Sequence, residues 1–315
     1  MSSRYEEQVV AALGAVGVRA PDAYLWFGRR FTAQPGEPLA EAIARRLLTD
    51  FQAPGAPRPG GPDPGDPADG AASFQRALSQ ANNGRGSWQP GWRFAGVEEE
   101  AIAVMRPDGL VLLAPPEDCR VEGERADVRM PKGLSGVARG VLRVLGDTPP
   151  PDDGARVRVS WNVIAAGAVT LVARLTYALN GAGLPFTLEL LTDPAGYGRR
   201  PGADLLLARS DFAAAITLQK PLLRALGAHL RDGAPAFSRP VARGLALVEE
   251  PQGGDESFGE HRCRLLAEAI VAADASGLIT EDERLRAVRE RFAAERVDLD
   301  APYLQPGSID AYDGP

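Results

Sequence analysis

The 315-residue chain of 33.4 kDa can bury most of its apolar surface in one large domain or two modest ones, and 44% hydrophobic with 24% charged residues is a globular composition. No run approaches the ~18 consecutive apolar residues of a membrane span, and no apolar segment with a cleavage site follows Met1–Glu7, which excludes a membrane protein and leads us to expect a cytoplasmic one. A net charge of −7 argues against a general nucleic-acid binder, while two cysteines and two histidines are too few for a disulfide framework or a multi-ligand metal site.

Helical spacing of apolar residues runs from Arg4 to Val18 and again from Pro38 to Phe51, which predicts a helical cap over residues 1–52. Residues 53–70 follow, 11 of 18 of them Pro or Gly, and without apolar periodicity they read as a disordered loop. Ala71–Asn83 resumes as helix, and the alternations at 99–105 and 110–114 flank Pro107-Asp108-Gly109 as a β-hairpin. Strands are predicted over 139–145, 156–162, 186–191 and 205–208, and helices over 167–179, 212–230, 259–275 and 281–296. The architecture is therefore α+β, an antiparallel or mixed sheet with helices packed on it and the N-terminal cap beside them. A break near Pro149–Gly154 separates an N-terminal part, 71–150, from a C-terminal part, 155–312, although a polar loop within one sheet fits the same residues.

Six features bear on candidate chemistry. Arginine outnumbers lysine 33 to 2, so a neutral, proton-accepting amine can come only from Lys132 or Lys220. Residues 155–231 hold nine basic against four acidic side chains, leaving −12 on the rest of the chain. Alternation in Arg156–Asn162 places Arg156, Arg158, Ser160 and Asn162 on one face, either an anion site or a row of cross-strand ion pairs with Glu189. Ala81–Trp92 brings glycines, amides, Arg85 and two tryptophans into one loop, either an oxyanion cradle of backbone N–H groups or a structural turn with buried tryptophans. Glu256–Arg264 opens a helix with His261, Arg262 and Cys263 near its start, where the helix end favours anions; Cys263 reads as a buried structural thiol. Ala272–Glu283 mimics a calcium loop but has Ala272 in place of the first carboxylate, and a helix end at Gly277 followed by a capping box at Thr280–Glu283 explains it better.

Read together, Ala81–Trp92, Trp161-Asn162 with Gly167-Ala168, Leu179-Asn180, Leu184-Pro185-Phe186, Asp193-Pro194 with Tyr197 and Arg199, Glu256–Gly259 with Arg262-Cys263, and Pro302-Tyr303-Leu304 resemble the HopA-type effector family and its relatives encoded beside peptide natural-product clusters. The resemblance spans roughly residues 75–312. It implies a protein of class V lanthipeptide or thioamitide biosynthesis. Its expected partners are a precursor peptide with its leader and an aminoglycoside-phosphotransferase-like kinase that phosphorylates Ser or Thr. The HopA-like protein would then eliminate the phosphate, leaving dehydroalanine or dehydrobutyrine without any cofactor. On that pattern Lys132 is the base, His261 the acid for the leaving group and Asn162 a donor to the enolate, while Arg85, Arg158, Arg199 and Arg262 clamp the phosphate. The chain departs from the pattern at Glu189, where a lysine is expected, and at Ser160, Pro201 and His261. Glu189 motivates the alternative, a catalytically inactive adaptor that binds the leader peptide or the kinase.

Overall fold

A computed structural model describes residues 3–52, 69–135, 138, 140–149, 154–198, 201–253 and 256–314. Ser3 opens helix α1 (Arg4–Ala15) through a reciprocal cap with Glu6. The chain then turns into three short antiparallel strands, β1 (Val16–Ala20), β2 (Ala23–Trp26) and β3 (Arg29–Thr32), before helix α2 (Leu39–Leu47). The expected helical cap thus contains a sheet. Its hairpin turns at Phe27-Gly28, both with positive φ, a two-residue geometry that matches strand twist. Most of the 53–70 segment, expected to be disordered, lies outside the described residues.

Helix α3 (Asp69–Ala81) leads into a five-stranded antiparallel sheet built from β4 (Trp88–Glu98), β5 (Ala101–Met105), β6 (Val111–Ala114), β7 (Cys119–Glu122) and β8 (Arg125–Arg129), in the order β6-β5-β4-β8-β7. The hairpin expected around Pro107–Gly109 joins β5 to β6, with Gly109 at φ 87°. This sheet has a small core of its own, Trp92, Val104, Ala114, Ala126 and Val128.

The remaining strands form one seven-stranded antiparallel sheet: β9 (Gly133–Ser135), β10 (Val141–Leu145), β11 (Arg156–Trp161), β12 (Phe186–Leu191), β13 (Ala203–Ala208), β14 (Arg239–Ala242) and β15 (Leu245–Glu249), in the order β14-β15-β11-β13-β12-β10-β9. Helices α4 (Ala165–Gly181), α5 (Phe212–Leu226), α6 (Phe258–Ala275) and α7 (Glu281–Ala294) contribute to the same core. Alternation in β11, β12 and β13 builds that core together with β15: Val157, Val159, Trp161, Leu188, Leu190, Leu205, Leu207, Leu245 and Leu247 are buried on one sheet face, each worth roughly 1.5–3 kcal/mol of transfer free energy or more for Trp161. Tyr5, Val9, Trp26, Ile43 and Leu47 join it, so residues 4–47 are part of the main body. Of the expected break at Pro149–Gly154, residues 150–153 lie outside the described residues; β10 and β11 on its two sides belong to one sheet, and a second small core lies within β4–β8. At the calcium-like segment Gly277 has φ 69° and Thr280 and Glu283 cap α7 reciprocally, as the capping reading requires. Among the described residues no helix is long and apolar enough to cross a membrane.

Candidate functional site

The loop between α3 and β4 is a knot of amide hydrogen bonds. Asn82 Nδ2 donates to the Lys132 carbonyl at 2.8 Å, and Lys132 Nζ donates back to the Asn82 carbonyl at 2.7 Å. Asn83 ties the same loop to α4, its backbone N–H on Thr176 Oγ1 at 3.1 Å and its side chain on the Ala173 carbonyl at 2.6 Å. The two successive N–H groups of Arg85 and Gly86 converge on one oxygen, Asp147 Oδ1, at 2.6 and 2.9 Å. An oxyanion cradle does form here, and the anion in it is the chain's own carboxylate. Asp147 is oriented in turn by its backbone N–H on Asn180 Oδ1 at 2.9 Å. Gly86 is obligatory: its φ is 86°, and a Cβ would stand 2.1 Å from the Met130 carbonyl oxygen. Trp92 is buried in the small core, while Trp88 is half-buried under the Arg120 guanidinium, 3.8 Å from its ring centroid.

Lys132 and Arg85 flank Gly84, whose Cβ position lies 3.3 Å from both Lys132 Cβ and Asp147 Oδ1. Arg85 Nε is 3.7 Å from Asp147 Oδ2, and its side chain is 88% exposed. Lys132 is exposed as well. Both side chains are therefore exposed beside the same loop.

The polar face of the large sheet carries an ionic lattice. Register places Arg143 beside Glu189, Glu189 beside Asp204, and Asp204 beside Ser160. Arg143 Nε and Nη2 both bind Glu189 Oε1, at 2.9 and 2.7 Å, and Ser160 Oγ donates to Asp204 Oδ1 at 2.6 Å. Arg158 Nε donates to Glu250, and its Nη1 lies 3.6 Å from Asp204. Burial raises the Asp204 pKa, only partly offset by Arg158 and Ser160. Burial alone would lower the Arg158 pKa, but Asp204 and Glu250 outweigh it and hold the guanidinium charged. The row of ion pairs is thus the form this face takes, with Arg143 rather than an arginine of β11 as the Glu189 partner.

Arg262 is fully buried on α6. Its Nε and Nη2 donate to the carbonyls of Pro302 and Leu304, each at 2.8 Å, its Nη1 contacts His261 Nδ1 at 2.5 Å, and its guanidinium sits 4.9 Å from the Phe258 ring centroid. Burial pushes its pKa down to about 10, against the pull of Glu256 and Glu249. Burial, with Arg262 adding to it, also lowers the His261 pKa, so the ring is neutral and accepts at Nδ1. Glu249 fastens the same C-terminal strap, accepting from the Gln305 N–H at 2.7 Å and from the Tyr312 hydroxyl. Cys263 is fully buried and its thiol pKa is pushed up, the inert structural role expected of it. Asn162 Nδ2 is spent on the Asp232 carbonyl at 2.9 Å, while its buried Oδ1 has no partner among the described residues.

The sequence-predicted residues consequently divide into three places. Val157 pairs with Glu249 on the helix-covered face, which puts Arg158 on the opposite face from the Glu249 and Arg262 clasp. Lys132, one residue before β9, is four strand spacings from Arg158 on β11, about 19 Å at ~4.8 Å each. The four-guanidinium clamp does not assemble among the described residues, and Arg199 lies outside them. His261 and Asn162 are engaged internally, away from the Lys132 corner's own hydrogen bonds. Sequence reasoning missed Asp147, Glu249 and Arg143. A lone aspartate after a strand carries no signal, and only Asn180, within the quoted Leu179-Asn180 pair, pointed toward its neighbourhood.

The sequence model of the HopA1 effector protein family matches residues 135–304. In fold the chain is similar to the effector protein from Pseudomonas syringae pv. tomato strain DC3000, at 12% identity and a TM-score of 0.52 over 96% of each chain. A second similar structure, the effector protein from Pseudomonas syringae pv. syringae strain 61, gives 15% identity and a TM-score of 0.49 over 85% of this chain and 96% of that one. No curated protein sequence matches.

Proposed function

The chain belongs to the HopA1 effector protein family, and from that membership we propose that it eliminates phosphate from a ribosomally made precursor peptide phosphorylated by an aminoglycoside-phosphotransferase-like kinase. The observation that supports this reading is that Lys132 packs against Gly84, the residue before Arg85, and that both cationic side chains are exposed there. Lys132 Nζ is held by one hydrogen bond to the Asn82 carbonyl on an exposed side chain, which positions it to meet a substrate from its open side. In the proposed step Lys132 Nζ takes the Cα proton of the phosphorylated residue. The C–H electron pair becomes the Cα=Cβ bond, the Cβ–O bond breaks with its electrons on oxygen, and the phosphate departs toward Arg85. The ammonium then returns its proton to water. No cofactor or metal enters, and Arg158, Arg262, Asn162 and His261 serve the fold in this scheme.

A second reading, an adaptor that binds the leader peptide or the kinase without turnover, is favoured by the lattice itself: Glu189 stands paired with Arg143, and Arg158 is held by carboxylates. One experiment separates the two. Purified protein is incubated with phosphorylated precursor, and inorganic phosphate and the dehydrated peptide are measured for wild type, Lys132→Ala and Arg85→Ala. Elimination predicts release that falls by about 10²-fold or more in Lys132→Ala. Absence of release from wild type, with leader or kinase retained in a pull-down that survives Lys132→Ala, establishes the adaptor.

A further inference from the structure

The outer surface of α4 and α5 encloses an open groove of about 770 Å³, lined by Asn83, Arg174, Tyr177, Leu218, Pro221 and Leu222 among others, with Gly181 and Ala182 leaving one end free of bulk. Three observations set it apart. Tyr177, 74% exposed, stands in the groove as one of the most exposed large side chains of the molecule. The lining is mostly apolar carbon, and contiguous exposed apolar surface on a folded chain marks a contact site. Charge is the third: α4 has Arg174 as its single charged residue and α5 has Lys220 and Arg224, so neither helix carries a carboxylate, although the chain as a whole is at −7. Arg174 lies in the groove itself, and Asn83 joins it to the loop that presents Arg85.

We infer that this groove receives an acidic peptide segment, its apolar side chains against Tyr177, Leu218 and Leu222 and its carboxylates against Arg174. The chemistry of the lining selects that occupant. An apolar trough with an aromatic wall takes a row of apolar side chains. Arg174 has no ion pair among the described residues, and an exposed cation of that kind favours an anionic partner and repels a cationic one. Pro221 has no N–H, so the Thr217 carbonyl has no helical donor from that position and offers a main-chain acceptor beside the trough. The site requires no phosphoryl group and stands apart from the elimination step.

The test uses the full chain and two synthetic peptides that share leucines at helical spacing, one flanked by glutamates and the other by lysines. Binding is read by fluorescence anisotropy of the labelled peptide. The glutamate peptide is expected to bind and the lysine peptide to bind at least about tenfold more weakly, with affinity falling as NaCl rises from about 50 to about 500 mM. Arg174→Glu should weaken the glutamate peptide by about tenfold and improve the lysine peptide. Tyr177→Ala should weaken both by about tenfold. Both positions are exposed, so the variants fold, which circular dichroism checks. Arg19→Glu, at an exposed position of β1 outside the lining, leaves binding within about twofold. Equal binding of the two peptides, a preference for lysine, or no binding to wild type overturns the inference. So does a dimer in sedimentation that Arg174→Glu dissolves, since a second copy would then own the groove. Phosphate release is not read, so failure of the elimination reading leaves this test intact.

Discussion

Replacing Arg262 separates a structural arginine from a phosphate ligand. Burial pushes its pKa down to about 10, so holding the charge inside costs on the order of 3 kcal/mol. Against that, it satisfies the carbonyls of Pro302 and Leu304, each worth about 1–3 kcal/mol if left buried and unpaired. Arg262→Met removes the charge and orphans both carbonyls while filling much of the volume, so the terms nearly cancel and the net loss should be about 0–3 kcal/mol. Arg262→Ala orphans the same carbonyls and adds a cavity beside Phe258, a further ~2–4 kcal/mol. Urea unfolding followed by tryptophan fluorescence measures the difference, and the Met variant should be the more stable by about 2 kcal/mol or more. Because the guanidinium has no exposed surface, the Met variant should retain phosphopeptide binding at a temperature where it is folded. Loss of that binding with an unchanged unfolding midpoint would show that Arg262 reaches the ligand, and the structural assignment would fall.

Three shorter predictions follow from the same geometry. Gly86→Ala forces a Cβ to 2.1 Å from the Met130 carbonyl at φ 86°, and should lower stability by at least about 2 kcal/mol, seen as a fall in Tm, whereas Gly109→Ala, with open space around it, should cost only about 1 kcal/mol of backbone strain. His261 has a folded pKa below its ordinary 6.5, so the unfolded chain binds its proton first as pH falls: the contribution to stability is intact above about pH 6.5 and is lost toward the lower folded pKa. His261→Gln should therefore reduce the loss of urea midpoint between about pH 8 and about pH 5; an unchanged pH profile rejects a buried neutral imidazole. Cys263, buried and with its thiol pKa raised, should resist a thiol reagent that labels the half-buried Cys119 in the folded protein, and both should react after unfolding, as mass spectrometry reports.

Periodicity made most of the large sheet legible. Arg156–Trp161 and Phe186–Leu191 alternate polar and apolar residues so cleanly that one face had to be core, and the capping boxes at Ser257 and Thr280 mark their helices locally. The strands that escaped notice lack that rhythm. Leu245–Glu249 is buried at all five positions, so its four apolar residues run without alternation before Glu249 and could equally have been helix. The first sheet hid behind helical neighbours, because its turn uses Phe27 in a left-handed conformation where an asparagine or glycine would have announced it. Trp88–Glu98 carries Pro90 and two glycines, which disguise a strand with irregular register as a loop.

The site was harder to read because residue type does not report a residue's partner. Arg85, Arg158 and Arg262 are chemically identical, and sequence assigned them one task. The fold gives them three: Arg85 reaches solvent past Asp147, Arg158 sits in a lattice of carboxylates, and Arg262 ties two backbone carbonyls. A planar guanidinium with five donors suits all three tasks equally, so only its surroundings decide between them. Two of the segments that carry the likeness to the HopA family, Glu256–Cys263 and Pro302–Leu304, meet in the interior as the clasp between α6 and the C-terminal strap. That contact identifies the fold without touching a substrate. Lys132, Arg85 and the groove running past Asn83 differ from these in exposure: Lys132 holds the Asn82 carbonyl and Arg85 lies near Asp147, yet both side chains reach solvent.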